Sequence, residues 1–281
     1  MSRTLAPFGR RRCEVLRAER HGSYTVLVVD DPGGPRPDPG QFSMLAAVQR
    51  WGGGADERPH LPRAFSVMRW RDGEAHYLLE DVGPGTERLC ELGAGDEVWV
   101  LGPLGEGFPL DAEPEAPSPD AAAPPRRAVL AGGGVGIAPL AILQDRLLEA
   151  GAPHALLLGF RDGEHAEGAN LLRCARIATD DGSLGHHGFV TDLLVEALAE
   201  DPHSAVYACG PPGMLEAIRG LCAERGVPAR LALEAGMACG YGACFGCVVP
   251  LAGGGYARVC VDGPVFAGSE LAPIPIHAGS H

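Results

Sequence analysis

Four cysteines near the C-terminal end constrain the fold of this chain more than any other feature. They follow the pattern C-x4-C-x2-C, with a fourth after twelve further residues: Cys239, Cys244, Cys247 and Cys260. The first three have the plant-type ferredoxin spacing, in which thiolates hold a [2Fe–2S] cluster. The glycine-rich spacers between them permit the close backbone approach that such a cluster needs. The segment is therefore predicted to fold as one short loop around a metal centre.

Structural zinc and a disulfide framework are the alternative interpretations of these cysteines. Zinc sites usually come as paired C-x2–4-C knuckles, and a glycine-rich four-residue spacer is not typical of them. No apolar export segment follows the basic stretch 1–12, so we expect a cytoplasmic, reducing compartment. Clustered thiols in such a compartment bind metal more often than they form disulfides. The [2Fe–2S] interpretation is therefore favoured.

The remaining sequence divides into a strand-rich part and an alternating part. Residues 1–110 contain short β-rich runs such as 24–29, 75–80 and 97–101, which predict a small antiparallel barrel. From 126 to 233 strands and helices alternate, which predicts a doubly wound parallel α/β sheet. The segment 111–125 is interpreted as a linker. The tail 234–281 is too short for a core of its own, and a metal centre would stabilise it.

Charge and hydropathy exclude two classes of partner. The formal net charge of −13 argues against non-specific binding to nucleic acid or to an anionic membrane surface. No window approaches the roughly 18 uninterrupted apolar residues of a membrane span. We therefore expect neither nucleic acid nor membrane as a partner.

Two short motifs in the strand-rich part suit a flavin nucleotide. Arg63-Ala64-Phe65-Ser66 can supply a cation for phosphate, a ring against the flavin and a hydroxyl toward its reactive nitrogen. Gly83-Pro84-Gly85-Thr86 opens a predicted helix whose N–H groups and threonine hydroxyl suit a pyrophosphate. An ordinary edge strand and a turn capped by threonine are the alternatives. Together the two motifs favour bound FAD.

A glycine-rich turn in the alternating part suits a nicotinamide dinucleotide. Residues 132–136 follow a strand and precede a helix, but they lack the strict G-x-G-x-x-G form, so a tight packing turn is the alternative. Cys209 ends a later strand of the same sheet and can border the nicotinamide or be a buried apolar residue. The absence of a clear basic pair for a 2′-phosphate favours NAD, although Arg161 leaves NADP open. The predicted NAD contacts are Gly133, Gly134, Gly136 and Cys209.

The motifs and their order resemble those of the electron-transfer subunits of type 1B dihydroorotate dehydrogenase, within the ferredoxin–NADP reductase-like flavoproteins. The most specific stretches are 234–240 and 258–266. The resemblance implies a barrel that holds FAD, an NAD-binding domain and a cluster domain facing an FMN-containing catalytic subunit. It implies FAD contacts at Arg63, Ala64, Phe65, Ser66, Leu78, Leu79, Glu80, Gly85 and Thr86. Two residues depart from the family pattern: Glu80 replaces a neutral or basic residue, and Ala64 replaces a proline.

The resemblance also implies a function in pyrimidine biosynthesis. The partner's FMN would oxidise dihydroorotate, and electrons would pass through the cluster and FAD to NAD⁺. Because NAD exchanges two electrons together and an iron–sulfur cluster exchanges one, a flavin belongs between them. No catalytic acid or base is then expected in this chain, and the expected assembly is a heterotetramer of two plus two subunits. The alternatives are an NAD(P)H reductase subunit serving ferredoxin, polysulfide or a hydrogenase, and a non-catalytic redox sensor.

Overall fold

The computed structural model describes residues 9–52, 59–109 and 127–275. Six antiparallel strands close into a barrel in the order β1-β2-β5-β4-β3-β6. Their bounds are β1 (Arg11–His21), β2 (Tyr24–Asp30), β3 (Phe42–Ala47), β4 (Arg63–Arg71), β5 (Glu74–Glu80) and β6 (Glu97–Leu104). Helix α1 (Pro84–Cys90) follows β5. The predicted barrel is confirmed. The linker 111–125 lies outside the described residues, as do residues 53–58 of the glycine-rich loop 51–62, which the sequence pattern marks as an insertion.

Strand β2 buries both of its faces, which explains its uninterrupted apolar run. Successive side chains of a strand point to opposite faces. Leu27 and Val29 pack into the barrel interior. Val26 and Val28 pack on the other side, in a core shared with the nucleotide-binding sheet. The barrel and the sheet are therefore joined through a common apolar core.

A parallel sheet with helices follows the barrel. Its first strands are β7 (Arg127–Gly133), β8 (His154–Phe160), β9 (Ala175–Thr179), β10 (His186–His187), β11 (Ser204–Cys209) and β12 (Ala229–Ala232). The accompanying helices are α2 (Ala138–Glu149), α3 (Gly163–Ala166), α4 (Val190–Glu200) and α5 (Pro212–Arg225). Strand β7 has β8 on one side and β11 on the other, and all three run parallel. The predicted doubly wound arrangement is confirmed.

The described part of the C-terminal segment packs in a core that it shares with both preceding units. It contains β13 (Val248–Pro250), β14 (Tyr256–Arg258), α6 (Val259–Asp262) and β15 (Val265–Ala267). Strand β15 pairs antiparallel with β12 and completes a sheet of order β10-β9-β8-β7-β11-β12-β15. Cys247 and Cys260 share one apolar core with Phe42 of the barrel. The domain boundary at 234 stays a prediction.

None of the helices in the described ranges has the length and apolar character needed to cross a membrane.

Candidate cofactor sites

A short hairpin brings two of the four predicted cluster ligands together. Cys247 precedes β13 and Cys260 follows β14, and Val248 is paired with Arg258 in that hairpin. The Cys260 N–H points at the Cys247 sulfur at 3.4 Å, and the Val259 N–H donates to the Cys247 carbonyl at 2.9 Å. Both sulfurs are buried, with Cys247 and Cys260 each 2% exposed. Pairing of β13 with β14 thus places Cys247 next to Cys260, thirteen positions later in the sequence.

The loop before the hairpin positions Cys239 and Cys244. Burial raises the pKa of Cys239, but N–H groups of Tyr241, Cys244 and Ala243 and the Cys244 thiol outweigh it and lower the pKa to about 7. Burial and the neighbouring Cys247 sulfur raise the pKa of Cys260 to about 12. Backbone donors aimed at the Cys239 sulfur, and a Cys247 sulfur that disfavours ionisation of Cys260, suit a centre that carries positive charge. Four thiols are a soft donor set, which fits iron in an iron–sulfur cluster as well as zinc.

Hydrogen bonds link the Cys239 and Cys244 side chains and the Cys247 and Cys260 side chains, and Cys239 also acts electrostatically on Cys260. Within the described ranges, no three cysteine, histidine or carboxylate side chains converge as ligands of one ion would. A [2Fe–2S] cluster has two irons and four thiolate ligands. The four-cysteine ligand set therefore remains our prediction.

The two predicted flavin motifs lie against each other. A Cβ on Gly85 would stand 2.4 Å from the Arg63 Nε, so the guanidinium passes directly over the start of α1. Arg63 also donates to the Leu61 carbonyl at 2.7 Å and lies over the Trp51 ring at 5.9 Å. The Thr86 hydroxyl donates to the Gly83 carbonyl and accepts from the Val82 N–H, both at 2.9 Å. The N-cap of α1 is Gly83 and carries no side-chain cap, so Thr86 lies inside the helix and its hydroxyl closes the turn before it, whereas the alternative of a threonine N-cap is wrong. Arg63 is a cation available to a phosphate at this helix start.

The other predicted FAD contacts lie on β4 and β5. Ala64, Phe65 and Ser66 are half-buried, and Phe65 packs against the barrel core. Leu78 and Leu79 are buried in two different cores. Because both leucine side chains are packed in these cores, any contact with FAD at Leu78 and Leu79 would be made by backbone atoms. All of these assignments remain predictions.

Replacing Arg63 by alanine is expected to weaken FAD binding. A hydrogen bond to a charged group contributes about 1.5–3 kcal/mol, which corresponds to roughly 10–100-fold in the dissociation constant. Flavin titration of the FAD-free chain measures the change. Arg176→Ala, which removes the exposed ion pair with Glu196 on the nucleotide domain, is the control. Equal affinities for the two variants would contradict the role of Arg63.

The predicted NAD contacts meet at the point where the sheet order reverses. A Cβ on Gly136 would lie 2.5 Å from the Cys209 carbonyl oxygen, so the glycine-rich turn touches the end of β11. Gly134 has φ +54 and opens a 3₁₀ turn before α2. Ligands of doubly wound sheets bind in this crevice, at the carboxyl ends of the strands. Burial, with Glu234 adding to it, raises the pKa of Cys209 well above its usual range. The Cys209 thiol is therefore uncharged where it lines the crevice.

Three further residues lie at this crevice and were not predicted as site residues from the sequence. The Glu234 side chain is exposed, yet desolvation by the surrounding protein and then the charge of Glu80 raise its pKa. The Tyr24 hydroxyl is buried without a partner among the described residues and lies 3.9 Å from where a Gly134 Cβ would stand. His165 packs edge-on against Tyr24 at 5.7 Å. Of these three residues, only Glu234 lies in a stretch, 234–240, that the sequence identifies as specific to the family. No local sequence pattern pointed to Tyr24 or His165.

The barrel, the doubly wound sheet and the crevice between them define the ferredoxin reductase-like class of oxidoreductases. A solved NADH-dependent reduced ferredoxin-NADP oxidoreductase aligns with a TM-score of 0.76 and 25% identity, covering 95% of this chain and 92% of that one. A ferredoxin NADP+ reductase from Neisseria gonorrhoeae with bound FAD and NADP aligns with a TM-score of 0.56 and 18% identity, covering 77% and 92%. The second similarity concerns the fold alone.

Sequence comparison defines the family within that class. Residues 130–220 match the family "Oxidoreductase NAD-binding domain", and residues 234–272 match "Iron-sulfur cluster binding domain of dihydroorotate dehydrogenase B". The dihydroorotate dehydrogenase B (NAD(+)) electron transfer subunit of Geobacillus thermodenitrificans is 38% identical over 94% of this chain and 98% of its own length. A probable subunit of the same name from Methanopyrus kandleri is 36% identical over 92% and 90%. The chain belongs to the family of dihydroorotate dehydrogenase B electron transfer subunits.

This membership confirms the predicted oxidoreductase class and the cofactor set of FAD, a [2Fe–2S] cluster and NAD. It also confirms that the chain is a subunit with a catalytic partner. The alternative of a reductase subunit serving ferredoxin, polysulfide or a hydrogenase is not favoured.

Proposed function

We propose that this chain carries electrons from the FMN of a dihydroorotate-oxidising partner, by way of its cluster and its FAD, to NAD⁺. One observation supports this most strongly. The cysteine loop packs on the barrel where a Cβ on Gly240 would meet Met44 at 2.5 Å, and Met44 is paired with Ala64 on the predicted flavin strand. The cysteine loop therefore packs on β3, the strand next to the predicted flavin strand β4. This proximity suits electron transfer between the two centres.

Each part of the chain has a distinct binding task in this proposal. Bound FAD supplies the exchange between single electrons and hydride pairs. The four cysteines hold the cluster, Arg63 binds the flavin phosphate, and the turn at Gly133 and Gly136 holds NAD⁺. The buried thiol of Cys209 helps to exclude water from the crevice. The acid–base chemistry on dihydroorotate belongs to the partner, and we propose a cytoplasmic assembly of two plus two subunits.

The partner is proposed to dock on exposed apolar side chains around the cysteine loop, which we call the aromatic patch. Cys244 is exposed, whereas Cys247 and Cys260 are buried, so the loop has one open side. Large apolar side chains surround that side, which is typical of an interaction surface. The aromatic patch consists of Tyr241, Phe245, Val248 and Tyr256, with exposed fractions of 61%, 62%, 40% and 73%.

Co-expression with an FMN-type dihydroorotate dehydrogenase subunit tests the proposed function. The expected result is a stable complex that reduces NAD⁺ when dihydroorotate is added. Failure to form a complex, together with NADH-dependent reduction of ferredoxin by the chain alone, would favour the reductase alternative instead.

Replacing Tyr256 by alanine is expected to weaken the complex by about tenfold or more, because tyrosines are enriched among interface hot spots, whose truncation costs about 2 kcal/mol or more, and each 1.4 kcal/mol is about tenfold. Tyr256 lies on β14, outside the stretch between the first three cysteines, so cluster and FAD contents should stay unchanged. Surface plasmon resonance with the immobilised partner measures the affinity. Phe189→Ala is the matched control, since Phe189 is 65% exposed at the start of α4. Equal affinities for both variants would rule the aromatic patch out as the docking surface.

A further inference from the structure

A cleft lies between the barrel and helix α2 of the nucleotide-binding unit. Its volume is about 290 Å³, and its walls come from the end of β4 on one side and from the second half of α2 on the other. An α-helix rises about 1.5 Å per residue, so Arg146 lies about 12 Å along the axis from Ala138, where α2 begins after the glycine-rich turn. None of the described residues assigned to FAD, NAD or the cluster lines this cleft. It is therefore separate from the cofactor sites.

Arginines outnumber carboxylates on the walls of this cleft, which we call the arginine cleft. Five arginines line it but only two carboxylates, Asp145 and Glu149. The Asp145 Oδ2 lies 3.0 Å from the Arg69 Nε and 3.6 Å from the Arg71 Nη2, so this carboxylate is shared by two guanidinium groups. The exposed Glu149 is the other negative charge. The cleft is therefore locally positive in a chain whose net charge is −13.

The other three arginines of the cleft are Arg36, Arg146 and Arg173. Within the described ranges, none of the three forms an ion pair. The Arg146 Nε is buried without an acceptor among the described residues, and so is the Nε1 of Trp70, which also lines the cleft. Buried donors in folded proteins nearly always have an acceptor. The walls thus present an excess of donors, which suits a ligand that only accepts hydrogen bonds.

Hydrogen bonds between the two units fix the backbone that carries these arginines. The Arg69 Nη2 donates to the Leu171 carbonyl at 2.8 Å, so the end of β4 is tied to the segment that leads to Arg173. The buried Gln144 side chain on α2 donates to the Arg173 carbonyl at 2.7 Å and accepts from the Arg173 N–H at 3.0 Å. The backbone at Arg173 is therefore held against α2, close to Arg146. Such preorganisation lowers the cost of binding a ligand.

We propose that the arginine cleft binds a small phosphate-bearing anion. A phosphate ester carries a charge of about −1.5 to −2 near pH 7 and three strong acceptor oxygens, and the planar donor fork of arginine matches phosphate geometry. The volume of the cleft is close to the lower end of the roughly 300–1,000 Å³ of small-molecule sites, so it has room for more than a bare phosphate ion. A ligand there contacts both units and stabilises their packing. This site functions independently of the proposed electron path.

Calorimetric titration of the holo chain tests the site with two probes, inorganic phosphate and cytidine 5′-monophosphate, whose base occurs in neither FAD nor NAD. Ionic strength is matched with potassium chloride, because salt screens exposed charges. At least one probe should bind saturably and raise the thermal midpoint of the chain. A higher affinity for cytidine 5′-monophosphate would indicate that the cleft recognises a nucleotide, and equal affinities would indicate that it recognises the phosphate group alone.

Two variants should weaken binding of the probe. Arg146→Gln/Arg173→Gln is expected to raise its Kd about tenfold or more, because each substitution removes a hydrogen bond from a charged group. Arg36→Gln should change the Kd in the same direction, and Arg36 is exposed, so this variant leaves the packing between the two units intact. FAD content, iron content and NADH-dependent dye reduction in phosphate-free buffer should stay unchanged in both variants.

Arg176→Gln/Arg225→Gln is the matched control, since it also removes two arginines of the nucleotide-binding unit but neither of them lines the cleft. Its Kd for the probe should equal that of the wild type. Absence of saturable binding of both probes to the wild-type chain, or an equal loss of affinity in the control, would overturn the proposal. A holo chain that binds the probe but passes no electrons from the catalytic subunit to NAD⁺ would contradict the proposed function alone.

Discussion

Replacing Cys244 by serine should remove the visible absorption of the cluster while FAD stays bound. Four thiolates hold a [2Fe–2S] cluster, and a serine hydroxyl is a poor replacement for a soft sulfur ligand. Because Cys244 is exposed, the substitution leaves the shared apolar core intact. In the complex with the catalytic subunit, dihydroorotate-dependent NAD⁺ reduction should be lost almost completely. NADH-dependent dye reduction through FAD should remain.

Iron, acid-labile sulfide and flavin contents, measured on the same sample, check this result. Cys174→Ser is the control, since Cys174 is also an exposed cysteine but lies in the nucleotide domain. It should keep the wild-type iron and sulfide contents. Full iron and sulfide in Cys244→Ser would mean that Cys244 is not a ligand.

The second large effect is expected from Gly136→Ala. The new methyl group would lie 2.5 Å from the Cys209 carbonyl oxygen and 2.6 Å from the Gly210 Cα, and both contacts are with backbone that has little room to shift. Overpacking of this kind costs about 1–3 kcal/mol or more. It would also push apart the ends of β7 and β11, which form the proposed NAD crevice. Both the thermal midpoint and kcat/KM for NADH should fall, while iron content stays the same.

Gly220→Ala is the control for this prediction. Gly220 lies inside α5, and a Cβ there would meet nothing within 4 Å. Alanine is a better helix former than glycine by about 0.5–1 kcal/mol, so this variant should melt higher than wild type and keep its activity. If Gly136→Ala were as stable and as active as wild type, the turn and Cys209 could not be in contact.

Local sequence patterns predicted most of the fold, because each element has its own periodicity and its own turn residues. The apolar runs at 24–29 and 97–101 became β2 and β6 of the barrel. The double burial of β2 was not predictable from those runs alone. A continuous apolar strand is also typical of a parallel sheet, and here the second face is covered by the nucleotide-binding unit, a long-range contact.

In the candidate sites, too, some features follow from local sequence and others depend on contacts between distant parts of the chain. The cysteine spacing is a local signal, since a short loop around a metal centre fixes its own ligand positions. The contact between Gly240 and Met44 joins residues far apart in the sequence, and so does the ion pair between Glu80 at the end of β5 and Arg161 directly after β8. Only the folded chain brings these residues together. Glu80 appeared anomalous because its partner lies on another domain. The sequence pattern marked both residues as unusual without relating them.

Electron paramagnetic resonance of the cluster tests the proposed electron path most directly. The complex with the catalytic subunit is mixed anaerobically with dihydroorotate and frozen at successive times, with and without NAD⁺. The cluster should become reduced at least as fast as NAD⁺ is reduced, and dihydroorotate should not reduce the cluster in the isolated chain, whereas NADH should. A cluster that stays oxidised while the complex reduces NAD⁺ at its full rate would show that electrons bypass the four cysteines.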